Sequence, residues 1–249
     1  MGLFDFFKEK KPGTAAERPR GGNKDVVRFA EALHKRAQNY DRQEALDGLA
    51  KIGTGEAAAA LLKRFFFTIE PSITDQDEKE QAYRALVGIG EAALPAVRDA
   101  CAKAESLTWP LRIMRELLDE QAYVGEVLGL LEKWDTEYDR NPDPKNQLLA
   151  TLETVKDERI RGAVERFLGD FHEPTRFQAA TALLGQDDAA AAGPLARALI
   201  REEAVRTQNR IAEGLVARGW PIPESERASV APKLPRSFAL DADGVLRRR

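Results

Sequence analysis

The chain of 249 residues holds two histidines, His34 and His172, and a single cysteine, Cys101. A structural zinc site needs four histidine or cysteine ligands, and catalytic sites keep three protein ligands beside an open position. Neither histidine has a second histidine or a cysteine at helical spacing, so no metal site and no cofactor are expected. His34 falls at the edge of an apolar helical stripe, where it reads as a partly buried packing residue. Cys101 shares a helical face with Leu94 and Val97, and reads as buried and inert. A lone cysteine forms no intrachain disulfide and fits a reducing, cytoplasmic setting.

Three other patterns invite chemistry and read more simply as punctuation. Asp241-Ala242-Asp243-Gly244 starts like a calcium loop but lacks the third acidic ligand and the distal glutamate, which leaves a turn. Gly53-Thr54-Gly55 resembles half of a phosphate loop, yet it joins helix to helix and no Gly-Lys-Ser/Thr follows. Arg247-Arg248-Arg249 could grip an anion, but a solvated, disordered end is the simpler expectation.

The elements that would position such residues are helical. The chain is 43% hydrophobic but only 7% aromatic, and leans on alanine and leucine, which favour helices over strands. No apolar run approaches the roughly 18 residues of a membrane span. Residues 1–24 and 225–249 each carry six basic and three acidic side chains, net +3, so with −3 overall the middle carries −9. An acidic middle repels phosphate backbones, which argues against nucleic acid as a partner.

A repeat organises that middle. ALDGLAKIG from Ala45, AYRALVGIG from Ala82, LRIMRELLD from Leu111, LLATLETVK from Leu148, FQAATALLG from Phe177 and IAEGLVARG from Ile211 share apolar positions at helical spacing. Their starts lie 37, 29, 37, 29 and 34 residues apart, as if a 66-residue pair had been duplicated. Each opens a helical hairpin. Glycines at 53, 90 and 185 are expected in the left-handed cap conformation, with Thr or Asp capping the next start. The second helices read as 56–67, 91–103, 121–134, 157–168 and 189–201, and the stretches 68–77 and 135–145 as longer polar turns on one side of the stack. A helix over 25–38 caps the first repeat, and Trp220 covers the last. Ser237 to Leu240 and Val245 to Arg247 alternate like the strands of a hairpin.

The stretches from Ala82 to Val97 and from Arg176 to Gly185 resemble HEAT repeats, particularly the short bacterial kind also found in phycobilisome lyases. The resemblance spans about residues 42–222. It implies an all-α fold, a right-handed α-solenoid of about five to six helical hairpins with a hairpin-like C-terminal tail. The expected organisation is a peptide and tether over 1–24, the repeats over 25–223 and a basic tail over 224–249. HEAT-like stacks that resemble iron hydroxylases carry paired His-Glu motifs, and neither His34 nor His172 has a neighbouring His-Glu partner. Others resemble bilin lyases or alkylpurine DNA glycosylases. Such an enzyme would draw on Trp109 and Trp134 for an aromatic pocket, although both are equally explained as packing at helix ends.

The resemblance specifies packing rather than chemistry, and the leading expectation is a non-catalytic scaffold that binds another protein or peptide. Second helices would line a concave groove with Arg98, Asp99, Lys103, Arg161, Glu165, Arg197 and Arg201, a mixed-charge surface suited to protein. At the N-terminus Leu3, Phe4, Phe6 and Phe7 share one helical arc, opposite Asp5, Lys8 and Glu9. Residues 1–11 are therefore expected to anchor to a partner or, peripherally, to a membrane surface, with Lys8, Lys10 and Lys11 assisting on anionic lipid.

Overall fold

The computed structural model describes residues 22–249, and over them the chain is all-α apart from one small antiparallel ribbon. The leading peptide, Leu3, Phe4, Phe6 and Phe7 included, lies outside the described residues. Helix α1 (Asn23–Ala32) precedes a series of helical pairs: α2 (Asn39–Ile52) and α3 (Gly55–Leu62), α4 (Ser72–Ile89) and α5 (Leu94–Cys101), α6 (Thr108–Leu117) and α7 (Glu120–Leu131). Then come α8 (Asp143–Glu153) and α9 (Glu158–Val164), α10 (Glu173–Gly185) and α11 (Ala192–Arg201), α12 (Val205–Arg218) and α13 (Glu224–Val230). First helices pack on first helices, α2 on α4, α4 on α6, α8 on α10 and α10 on α12, while α3 packs on α5 and α11 on α13.

Every apolar segment that defines the repeat begins within a first helix, because those positions are the ones a stack can bury. Leu46, Leu49, Leu86, Leu148, Leu149, Leu152, Leu183 and Leu215 are fully buried in one continuous core. Among the described residues no helix is long and apolar enough to cross a membrane.

The breaks between paired helices obey different rules. Gly53 and Gly219 take the left-handed conformation, with φ of 65° and 62°, as a glycine C-cap should. Gly185 does not: it is helical, and a Cβ there would sit 2.6 Å from the Glu153 carbonyl oxygen, so close helix approach demands the glycine. Asp187 takes the positive φ instead. Thr54 and Asp188 cap the starts after Gly53 and Gly185 as expected, no side chain caps the start after Gly90, and Asp119 and Asp157 add caps of the same kind, each of the four accepting an amide hydrogen.

Several boundaries differ from the sequence reading. Helix α1 stops at Ala32, since the Leu33 amide closes on Phe29 and the chain turns. His34 therefore lies exposed in that turn, its Nδ1 accepting from the Arg36 amide, and is no part of an apolar stripe. The stretch 68–77 is only in part a turn: α4 begins at Ser72, directly after Pro71, and Asp75 points inward. Likewise α8 begins at Asp143, inside the stretch 135–145, with Pro144 in its first turn and Lys145 fully buried. Second helices are shorter than expected, because 3-10 turns occupy Lys63–Phe66, Gly90–Ala93, Glu165–Gly169 and Ala189–Ala191.

At the far end Trp220 is 9% exposed, and residues 224–230, expected within the tail, form α13 against α11. Strands β1 (Phe238–Leu240) and β2 (Leu246–Arg248) pair with Leu240 opposite Leu246. Asp241 Oδ1 accepts the Asp243 and Val245 amides, which makes 241–244 the turn of this ribbon. Arg247 and Arg248 are held in β2 and pair with Asp241 and Glu213, so this basic end is ordered.

Candidate functional site

The seven polar residues expected on the second helices do not converge. They lie in three places, and most of them bind the stack to itself. Arg98 on α5 pairs with Glu126 on α7. Arg161 on α9 pairs with Asp188 at 2.6 Å and with Glu165 at 3.1 Å. Arg197 on α11 reaches Glu226 on α13 at 3.5 Å. A guanidinium held by the next helix is a poor hook for a partner, since docking must first break an existing pair. Asp99, Lys103 and Arg201 are exposed and make no ion pair among the described residues.

Asp99 and Lys103 do border an open surface. Between α3 and α5 run two adjoining hollows of about 370 and 480 Å³ that share Leu62, Phe66, Ala100 and Lys103. Small residues line the trough, Gly55 and Ala59 on α3, Ala92 just before α5 and Ala96 on it. Phe66 stands in it 53% exposed, and Glu56, Asp99 and Glu105 lie along it with Lys103. One end is closed by Trp109, stacked on Phe65 with ring centroids 5.0 Å apart and 6.1 Å from Tyr83. The Arg112 guanidinium covers Tyr83 at 4.0 Å. Trp109 is thus tied into packing on three sides, and Trp134 packs half-buried against the core. Cys101, next in sequence to Ala100, is buried, and burial pushes its thiol up to about 11.

The charges that sequence reasoning missed are the buried ones. Glu78 on α4 takes Arg42 from α2 at 3.0 Å and Arg64 from the turn after α3 at 2.7 Å, and all three are buried. Arg64 also reaches Asp75 at 2.8 Å, and Asp75 takes Lys79 at 2.6 Å. Burial works to raise the Asp75 carboxyl. Hydrogen bonds from Lys79, Arg64 and the Ile69 amide outweigh it and hold Asp75 below its ordinary value. Further along, Lys145 on α8 pairs with Asp170 at 2.6 Å, both side chains fully buried. Arg176 on α10 pairs with Glu202 at 2.7 Å. Burial likewise opposes the ionised Glu202 and is overcome by Arg176 and the Ala204 amide, which leaves its pKa lowered. A signal was present: Arg42, Lys79 and Lys145 each stand three residues before a repeated apolar segment.

These buried pairs set the turns above them. Asp170 also accepts the His172 amide, and His172 Nε2 accepts the Asp139 amide at 3.0 Å, joining the turns before α8 and α10. The result is a three-ring cluster. Tyr138 meets Phe171 edge-on at 5.3 Å, and His172 lies 5.4 Å from Tyr138 and 5.3 Å from Phe171. Tyr138 and Phe171 remain 66% and 63% exposed. No group of three or more His, Cys, Asp and Glu able to hold a metal ion occurs among the described residues. No protein-family model matches this sequence, and no curated protein matches it.

Proposed function

We propose that this chain is a non-catalytic protein-interaction scaffold, a right-handed solenoid of HEAT-like helical hairpins whose second-helix face receives a partner segment between α3 and α5. The observation that carries this reading is the trough itself, an apolar floor of Leu62, Phe66, Ala96 and Ala100 left open while the neighbouring Arg98 is tied to Glu126. Glu56, Asp99 and Glu105 outnumber Lys103 beside it. The occupant is therefore an amphipathic helix of another protein that turns an apolar stripe to the floor and basic residues to the sides. Leu3, Phe4, Phe6 and Phe7 act as a second, weaker anchor, whose effect multiplies that of the trough when both engage.

Selection from a library of helical peptides displayed on phage, with the full chain as bait, tests the trough. Expected binders share an apolar stripe with flanking lysine or arginine. They should lose affinity at least about tenfold on Ala96→Glu, which fills and charges the floor. Binders indifferent to Ala96→Glu and Phe66→Ala, or no binders at all, would remove the trough as the site.

A further inference from the structure

The trough between α3 and α5 calls for an occupant with an apolar stripe and basic flanks, and the sequence itself carries such a segment outside the described residues. Leu3, Phe4, Phe6 and Phe7 share one helical arc, Lys8, Lys10 and Lys11 follow at once, and residues 1–24 are net +3. Phe7 stands three residues from Phe4 and four from Leu3, the spacings that set side chains on one helical face. On the receiving side, Ala59, Ala92, Ala96 and Ala100 leave width for aromatic rings beside the exposed Phe66. Glu56, Asp99 and Glu105 present exposed carboxylates along it. Ring against ring on the floor and lysine against carboxylate at the sides are complementary contacts.

We infer that residues 3–11 dock in the trough of their own chain and close it until a partner helix displaces them. This rests on the scaffold reading of the trough and supplies its regulation. Connectivity puts the trough within reach, because α1 packs on α3 and α3 packs on α5. The length of α1, about 15 Å, plus two helix spacings of about 10 Å bounds the path from the start of α1 to α5 at about 35 Å. The fifteen residue steps from Phe7 to Gly22 extend to about 50 Å. A segment on so short a lead meets its own trough at an effective concentration on the order of millimolar, above that of other copies in dilute solution. The hollow between α1 and α2 is nearer but fits less well, since Asp25, Arg28, Glu44, Asp47 and Lys51 mix both signs around it. Displacement also frees the expelled residues to act as the second anchor, so that filling the trough and engaging the anchor are coupled.

Binding of a fluorescein-labelled peptide of residues 1–11 to the full chain tests the inference. The parent should bind this probe weakly, because its own segment fills the trough, and the full-length Phe4→Ala/Phe6→Ala/Phe7→Ala variant should bind at least about tenfold tighter. Adding Ala96→Glu to that variant should abolish the gain while the circular dichroism spectrum stays that of the parent. Benzoylphenylalanine in place of Phe6, in a dilute equimolar mixture of unlabelled and nitrogen-15-labelled chains, should cross-link to residues 55–66 or 92–106 within single copies. Equal probe binding by the parent and the triple variant, a gain that survives Ala96→Glu, cross-links between copies, or cross-links confined to the α1–α2 hollow would overturn the inference. The library-selected helices keep its failure apart from that of the scaffold. If they bind the parent and the triple variant equally and lose affinity on Ala96→Glu, the trough is a partner site without an internal occupant. If they ignore Ala96→Glu in both chains, the scaffold reading falls and takes the regulation with it.

Discussion

The two halves of the stack bury charge in different ways. In the first half Arg42, Arg64, Asp75, Glu78 and Lys79 form one network that ties α2, the turn after α3 and α4 together, with Glu78 serving two arginines at once. In the second half the inward charges come as separate pairs, buried Lys145 with Asp170 and half-buried Arg176 with buried Glu202, each closing a single hairpin from its first helix to the segment after its second. A shared hub couples neighbouring hairpins. Separate pairs fix one turn each. Since a repeat stack is otherwise stabilised by nearest-neighbour contacts, the first half should unfold as a larger cooperative unit than the second.

Glu78→Ala should have the largest effect. It leaves the buried Arg42 guanidinium without a counter-charge and Arg64 with Asp75 alone, and breaking a buried pair costs about 3–5 kcal/mol. A hub with two partners belongs at the upper end. Urea unfolding measures the loss, and hydrogen exchange should show protection falling in α2, α3 and α4 together. A loss confined to α4 would dissolve the contrast between hub and pair.

Asp170→Ala should come next, near the lower end at about 3 kcal/mol, because one buried pair is broken instead of two. Its exchange signature should stay within α8, α9 and the start of α10. The double change Lys145→Met with Asp170→Leu removes both charges and should return stability to within about 1 kcal/mol of the parent, the remainder being the lost amide bond to His172. A double variant as unstable as Asp170→Ala would mean that the pair itself, and not the stranded charge, carries the stability.

How much of this was legible beforehand follows from what each feature depends on. The apolar periodicity that marks the first helices is local, so Leu46, Leu86 and Leu149 were placed in a core from spacing alone. Buried charge is not local. Asp75 and Lys145 stand in polar stretches that read as turns, and only the partner brought by another hairpin, Arg64 or Asp170, makes burial tolerable. The α3–α5 trough depends on how closely two helices approach, which alanines at 59, 92 and 96 leave open without announcing it. Tyr138 and Phe171 are 33 residues apart in chain positions with no pattern between them, and they meet because Lys145 and His172 knit their turns together.

Acid should sharpen the contrast with a smaller effect. Asp75 in the hub and Glu202 in a pair both have folded pKa values below their ordinary ones. The stability they supply is complete above the unfolded values, about 3.9 for Asp and 4.3 for Glu, and is lost as pH falls through the lower folded values. Urea midpoints should therefore hold from neutral pH to about 4.5 and drop below that. Asp75→Asn should flatten the drop in helices α2 to α4, and Glu202→Gln in α10 to α12. Equal flattening of the whole chain by either change would show that the halves unfold as one.

The smallest effect is expected where charge joins helices without burial. Arg98 and Glu126 link α5 to α7, but their side chains are 47% and 26% exposed. Water and salt screen such a pair, and holding two long side chains in place costs conformational freedom. Exposed pairs contribute about 0.2–1 kcal/mol. Arg98→Ala should therefore lower stability by less than about 1 kcal/mol, and a double-mutant cycle with Glu126→Ala isolates the coupling. The same cycle in high salt should shrink toward zero, whereas the Arg42–Glu78 coupling should persist, because ions cannot reach it. A salt-resistant Arg98–Glu126 coupling as large as that of the hub would mean that contact along the second helices, and not burial beneath the first, binds one hairpin to the next.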